Sequence, residues 1–359
     1  MRIGILTFHH AHNYGAVLQC YALKRYLLSQ GAEVEVIDYR SPAIIASYKR
    51  TNFLPFGSLP LRQWLGRMRF ECSILSTRMR RFDAFEAFIQ KELRPQPVSN
   101  IMEHPYDLIL VGSDQVWNYH LTQGFDSHYW GEFTRPATTR LATYAVSMHD
   151  HWPEEMNQEI AKRLQYFDAI SVRENLLQEQ LQPLCPKKEI SVVVDPTLLI
   201  GATEWDKIAI APRQSKRPYL LLYQVLTNPK AEAVAEKVAA QLGLEVVYLC
   251  VGPTGRNSRS VRFTSPEEFI GLFKHADFVV SASFHGTVFA LQYGKPFYSI
   301  RSGKGVDNRV ESLLAPLKLS HRFISSSDEV DSPDISYSNK QFNVIIEQSK
   351  KYIHQLLHA

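Results

Sequence analysis

The stretch DFVVSASFHGTVFALQYGKPFYSIR, residues 277–301, decides the fold. DFVVSAS and PFYSIR are apolar runs of strand length, and GTVFALQYG between them has a helical pattern. Two strands joined by a helix make a parallel crossover unit. The runs lack the polar alternation of a strand with one wet face, so both faces of the sheet are covered.

The same alternation extends outward in both directions. Before this unit stand the strand YLLLYQVL, the helix KAEAVAEKVAAQLG, the strand EVVYLCV and the helix SPEEFIGLFKHA. That last helix opens on Ser265 with Glu268 three residues on, the spacing of a capping box. An earlier series holds six strands: RIGILTF, EVEVIDY, YDLILVGSD, LATYAVSM, DAISVRE and EISVVVDPT. The helix AVLQCYALKRYLLSQ follows the first of them, with Gly31 as its stop. Residues 195–218, with three prolines and no clear period, separate the two series. The expected fold is therefore α/β, with two Rossmann-like, doubly wound domains facing a cleft. The domains span 1–200 and 205–330, and an amphipathic helix lies within 336–359. An arginine-rich helical insertion at about 60–92 interrupts the first domain. Its expected place is a solvated face over a core stripe, with a membrane-surface helix as the alternative.

Composition narrows the function classes. The 359 residues are 45% hydrophobic and 21% charged, with 40 basic against 36 acidic side chains and a formal net charge of +4. That profile excludes a dedicated nucleic-acid binder and suits anionic small molecules or approach to an anionic membrane. Cys20, Cys72, Cys185 and Cys250 are scattered, so no zinc or redox pair is expected and all four read as buried, reduced thiols. No run reaches the ~18 apolar residues of a membrane span. The sequence opens directly on a strand, and the expected compartment is the cytoplasm.

In such folds ligands bind beyond the carboxyl ends of the strands. His285 follows one strand, where the amides of Gly286, Thr287 and Val288 would open the next helix. A histidine there can move protons near neutral pH, and Gly286 would let a ligand approach the backbone. Arg173 ends a first-domain strand, beside Glu174. It suits a carboxylate or phosphate, or a structural pair with Glu174. Asn13, Tyr14 and Gly15 open the first helix, where Asn13 and Gly15 fit ligand approach. Ser113 and Asp114 are candidate caps, and Trp117 with Asn118 a plate and polar edge for a sugar ring. Lys304, Asn308 and Arg309 lie in or after a glycine-rich loop on the same edge. His9, His10 and His12 have no HExxH spacing and no carboxylate nearby in sequence, so no metal is expected.

Four ordered pieces, NYGAVLQCYAL, VGSDQVWN, SVREN with DPTLL, and SFHG with GKPF, resemble the polysaccharide pyruvyl transferase family from residue 13 to about 297. The resemblance implies a GT-B-type architecture with a last helix crossing back to the first domain. It also implies transfer of the enolpyruvyl unit of phosphoenolpyruvate to a sugar, as a ketal on two hydroxyls. On that resemblance Arg173 binds the donor and His285 is the acid/base, with Ser283, Gly286, Thr287, Lys304 and Arg309 around the donor. Asn13, Tyr14, Gly15, Ser113, Asp114, Trp117 and Asn118 line the acceptor side or cleft. The partners implied are phosphoenolpyruvate and a glycan or lipid-linked sugar, with no cofactor and no nucleic acid. Many members carry an arginine where Ser283 stands, and Arg309, Lys304 or Arg301 would replace it. Two other readings stay open on this fold: a glycosyltransferase using a nucleotide sugar, and a non-catalytic glycan binder.

Overall fold

The crossover unit of residues 277–301 lies at the centre of the second of two parallel sheets in the computed structural model. The structure describes residues 1–48, 58, 60–148, 151–212, 217–250, 260–261, 264–303, 306–336 and 342–358. The first sheet is built from β1 (Arg2–Leu6), β2 (Glu33–Val36), β3 (Leu108–Val111) and β4 (Arg140–Thr143), in the order β2-β1-β3-β4. The pair β5 (Ile170–Val172) and β6 (Ile190–Val192) continues it through parallel bridges from Ala142 to Ala169 and from Val146 to Val172.

The second sheet holds β7 (Tyr219–Gln224), β8 (Glu245–Cys250), β9 (Ser260–Val261), β10 (Phe278–Ser281), β11 (Phe297–Ile300) and β12 (Phe323–Ile324). Its order is β12-β11-β10-β7-β8-β9. The registers Val279↔Phe297 and Val279↔Leu221 put β10 between β11 and β7. Every residue of β3, β7, β10 and β11 is buried, as their unalternated apolar runs require. The sequence reading missed β9 and β12, which are two residues each and too short to carry a period.

Strand order reverses between β1 and β3 in the first sheet and between β7 and β10 in the second. A crevice opens at each reversal, because the helices there leave to opposite faces. The helix Tyr14–Ser29 ties the halves together. Twelve of its 16 residues are buried, since it is covered by its own sheet on one side and by the second domain on the other. Tyr14 stacks on Phe269 at 4.3 Å, and Tyr21 meets Trp205, which packs edge-on to Phe289. The terminal helix Phe342–His358 crosses back to the first sheet. There Tyr352 donates to the Thr143 carbonyl, Arg140 donates to the Leu356 carbonyl, and Ser349 Oγ accepts from the Val194 amide.

Candidate active site

The two crevices merge into one cleft of about 560 Å³. The first domain contributes Asn13 from the loop after β1 and Asp114 and Gln115 from the loop after β3. The second contributes residues 225–229 after β7, Ser283, Phe284 and His285 after β10, and Arg309 from the helix Val306–Leu314. These loops belong to the strands that flank each reversal, so topology alone brings them together.

His285 sits in the first turn of the helix Phe284–Gln292. The helix starts two residues earlier than the sequence suggested. Ser281 Oγ donates to the Ser283 carbonyl and accepts its amide, which fixes the turn. Thr287 N already bonds the Ser283 carbonyl, so the helix-start amides are those of Phe284, His285 and Gly286. Ser283, the N-cap residue, makes no side-chain cap hydrogen bond there.

Asp195, just beyond β6, faces His285. His285 Nε2 stands 3.5 Å from Asp195 Oδ2, an ion-pair distance too long for a made hydrogen bond. Arg173 Nη1 donates to the same oxygen at 2.6 Å, and Thr197 donates its amide and hydroxyl to Oδ1. Burial pushes the Asp195 carboxyl up. His285, Arg173 and Thr197 outweigh that and hold it below the ordinary carboxylate range. Arg173 Nε also donates to Glu174, which accepts from Ser147 Oγ as well. Burial raises the Glu174 pKa, with Arg173 opposing. Glu174 is the N-cap of the helix Asn175–Leu181, yet its carboxylate does not cap it.

Arg309 has no hydrogen bond or ion pair among the described residues, although it is only 8% exposed. Burial and then the nearby Arg173 charge pull its pKa down to about 10, so it stays cationic at neutral pH. Both guanidinium groups lie over the Phe284 ring, at 4.6 and 5.8 Å from its centroid. A chamber of about 190 Å³ behind Phe284 is lined by both arginines, Asp195 and the terminal helix. Arg173 Nη2, Glu174 Oε2, His285 Nε2 and Arg309 Nε are all buried without a hydrogen-bond partner. Buried polar atoms are nearly always paired, and three of these four belong to arginine and histidine side chains, so the cluster marks a site shaped for a polar, anionic group.

The other expected residues divide. Asn13 and Asp114 line the cleft; Asn13 caps the first helix by accepting from Gly15 N, and Asp114 accepts from Gln115 N. Ser283 lines it as well, and its hydroxyl engages Tyr223. Gly15 faces His285 rather than open space, since a Cβ there would fall 2.1 Å from His285 Nδ1. Tyr14 is an interdomain tie, with its hydroxyl on the Thr264 carbonyl and Thr264 Oγ1. Gly286 is needed for packing, because a Cβ would strike Ser281 Oγ and Tyr223. The Thr287 hydroxyl is spent on the Ser283 carbonyl and on Ser299.

Ser113 is buried and donates to the Ala145 carbonyl rather than capping a helix. Trp117 is no sugar plate. It is buried, stacks on Trp130 at 4.5 Å and donates to the Tyr129 carbonyl. Asn118 caps the short helix Tyr119–Thr122 and is absent from the cleft lining. Arg301 is paired with Glu311, which leaves Arg309 as the cleft-lining cation; Lys304 lies outside the described residues.

The sequence reading missed Asp195. It had a signal, since Asp195 follows a strand just as Arg173 and His285 do. The histidine loop did gain carboxylates from afar: His9 pairs with Asp38 and His12 with Glu86. His10 is buried with both ring nitrogens unpartnered, and burial, reinforced by His9, lowers its pKa to about 3. Among the described residues, no three potential ligands gather as a metal group. Cys20, Cys185 and Cys250 are buried as expected, but Cys72 is exposed on the arginine-rich helix.

Comparison with solved structures gives a UDP-N-acetylglucosamine 2-epimerase at 14% identity and a TM-score of 0.52, covering 99% of this chain and 95% of that one. The UDP-GlcNAc 2-epimerase of Methanocaldococcus jannaschii aligns over 100% of both chains at 12% identity and a TM-score of 0.49. The likeness to the first is one of fold, the GT-B arrangement of two Rossmann-like domains. No curated protein sequence matches. A sequence model of the family described as polysaccharide pyruvyl transferase matches residues 13–303, from the Asn13 cap through the His285 helix to Gly303, just before the helix that carries Arg309. With four-fifths of its length matched, the chain belongs to the polysaccharide pyruvyl transferase family.

Proposed function

We propose that the protein transfers the pyruvyl group of phosphoenolpyruvate to two hydroxyls of a sugar, in a cell-surface polysaccharide or its lipid-linked precursor. The observation that carries this reading is the cluster of four buried, unpartnered polar atoms around Arg173, Arg309 and His285. The two guanidinium groups flank one ring and repel each other. A carboxylate or phosphate between them would relieve that repulsion and accept from Arg173 Nη2 and Arg309 Nε. Arg309 thus takes the place of the cation that Ser283 lacks.

The chemistry asks for one proton donor and one acceptor at the same place. His285 delivers a proton to the methylene carbon of the donor, which leaves the adjacent carbon electrophilic. A sugar hydroxyl attacks that carbon and surrenders its own proton to the histidine. The C–O bond to phosphate then breaks. The second hydroxyl closes the ketal, and its proton leaves with phosphate. Asp195 stands behind the imidazole, 3.5 Å from Nε2, while Arg173 is held in turn by Asp195 and Glu174. This sequence of steps requires no metal or nucleotide.

Arg309 offers the cleanest test because it makes no hydrogen bond or ion pair among the described residues. Arg173→Ala, by contrast, would strand two buried carboxylates and cost about 3–5 kcal/mol of stability. In calorimetry, Arg309→Met is expected to weaken phosphoenolpyruvate binding about ten- to hundredfold, the loss of one charge-assisted contact. His285→Gln should bind the donor nearly as wild type and lose roughly 10²–10⁴ in transfer rate. Unchanged donor affinity in Arg309→Met would remove the anion site from this cleft. Saturable binding of a nucleotide sugar in place of phosphoenolpyruvate would turn the reading to glycosyl transfer.

A further inference from the structure

The arginine-rich segment does not lie over a core stripe as its sequence suggested. It is one helix, Leu61–Phe88, about 42 Å long at 1.5 Å per residue. Its last turns are anchored on the first domain. Phe85 and Phe88 are buried, Arg81 Nη2 donates to the His12 carbonyl, and Glu86 pairs with His12. Across residues 61–80 the one buried side chain is Glu71, enclosed by Arg67 and Arg78 of the same helix. Leu61 is 60% exposed and Leu65 47% exposed, and Cys72 is exposed as well.

The pattern around this projecting part is ordered. At 3.6 residues per turn, Leu61, Leu65, Met68, Cys72, Leu75 and Met79 share a stripe roughly 80° wide. Arg62, Arg69 and Arg80 stand about a quarter-turn to one side, and Arg67 and Arg78 about as far to the other. Arg62, Arg67, Arg69 and Arg80 are exposed. Five arginines against one glutamate leave a surplus of four in this segment, as large as the formal +4 of the whole chain. The remainder is therefore neutral overall, and the excess charge is concentrated where apolar side chains are also exposed. A narrow apolar stripe edged by cations is the form that inserts at a lipid interface, with the arginines reaching the headgroups. No described helix is long and apolar enough to cross a membrane, so this contact is one of surface.

We propose that residues 61–80 dock the protein on an anionic lipid surface, with the Leu61–Met79 stripe in the headgroup boundary and the flanking arginines on lipid phosphates. The helix roots on the loop that carries Asn13, and Asn13 lines the cleft. Docking would therefore hold the cleft beside the surface where a lipid-linked sugar would sit. That use rests on the proposed reaction; the docking does not.

The test is flotation of the full chain with vesicles of phosphatidylcholine, with and without phosphatidylglycerol. The chain should float only with phosphatidylglycerol, and less as salt rises. Arg62→Gln/Arg69→Gln/Arg80→Gln should weaken partition by about tenfold or more, at the usual contribution of a basic residue near an anionic surface. Leu61→Asp/Leu65→Asp should also weaken it, with circular dichroism and phosphoenolpyruvate binding unchanged in both variants. Equal flotation of the arginine variant, or none of the wild type on phosphatidylglycerol, overturns the proposal. So does a dimer that Leu61→Asp/Leu65→Asp splits while vesicles are ignored. Loss of donor binding with flotation intact counts against the proposed reaction alone.

Discussion

Gly15 of the first domain faces the His285 ring of the second, with no room for a side chain between them. A methyl group on Gly15 would fall 2.1 Å from His285 Nδ1 and 2.3 Å from Cε1, so the ring must turn away. Turning it moves Nε2 off Asp195. Misplacement by about 1 Å is enough to cost roughly 10²-fold in rate. Gly15→Ala is expected to lower pyruvyl transfer by about that factor while phosphoenolpyruvate affinity, set by the arginines, changes little. Parallel calorimetry and turnover assays would check this, and unchanged turnover would remove His285 from the chemistry. Glycine at position 15 is thus explained by a residue 270 positions away in sequence.

At the scale of elements, the helix Pro266–His275 separates what sequence encodes from what it does not. Its capping box is formed as read: Ser265 Oγ accepts the Glu268 amide, and the Glu268 carboxylate accepts the Ser265 amide. Gly271, mid-helix, looks like a flaw worth about 1 kcal/mol against alanine. The structure reverses that sign. The segment joining the domains crosses this helix, with Ile210 N donating to the Glu267 carbonyl, and a Cβ on Gly271 would fall 1.8 Å from the Ile210 carbonyl oxygen. Backbone cannot step aside as a side chain can, so the overpacking cost of roughly 1–3 kcal/mol exceeds the propensity gain. Gly271→Ala should lower the urea midpoint, and a raised midpoint would show that the crossing is loose.

Across the whole molecule, the domains share a buried core rather than a wet hinge. Tyr14, Tyr21, Trp205, Phe269, Phe273 and Phe289 form one cluster with residues of both sheets. Large hydrophobic interfaces hold domains in a fixed relation, whereas polar ones permit motion. One cooperative thermal transition is therefore expected. Tyr14→Phe should lower stability by about 1–3 kcal/mol, because the buried Thr264 carbonyl loses its donor and the Thr264 hydroxyl its partner, without splitting that transition. Two separated transitions in calorimetry would contradict a shared core. The terminal helix adds a second clamp, since Ser349 holds the Val194 amide one residue before Asp195.

Apolar runs and their spacing were enough to determine the six first-sheet strands, four of the second, the capping box and the doubly wound class. These depend on local pattern, which a chain carries within a few residues. The rule that ligands meet strand ends also brought Arg173, His285, Asn13, Asp114 and Arg309 into view. Tertiary structure alone decided what each side chain does. Trp117 and Asn118 follow a strand too, yet they turn into the core and a cap. Asp195 becomes the hub of the site only because β6 ends opposite the His285 helix. Arg309 matters because nothing nearby pairs with it among the described residues, a property of its surroundings and not of its type. Sequence spacing cannot report such facts, since they arise where elements distant along the chain converge and exclude water together.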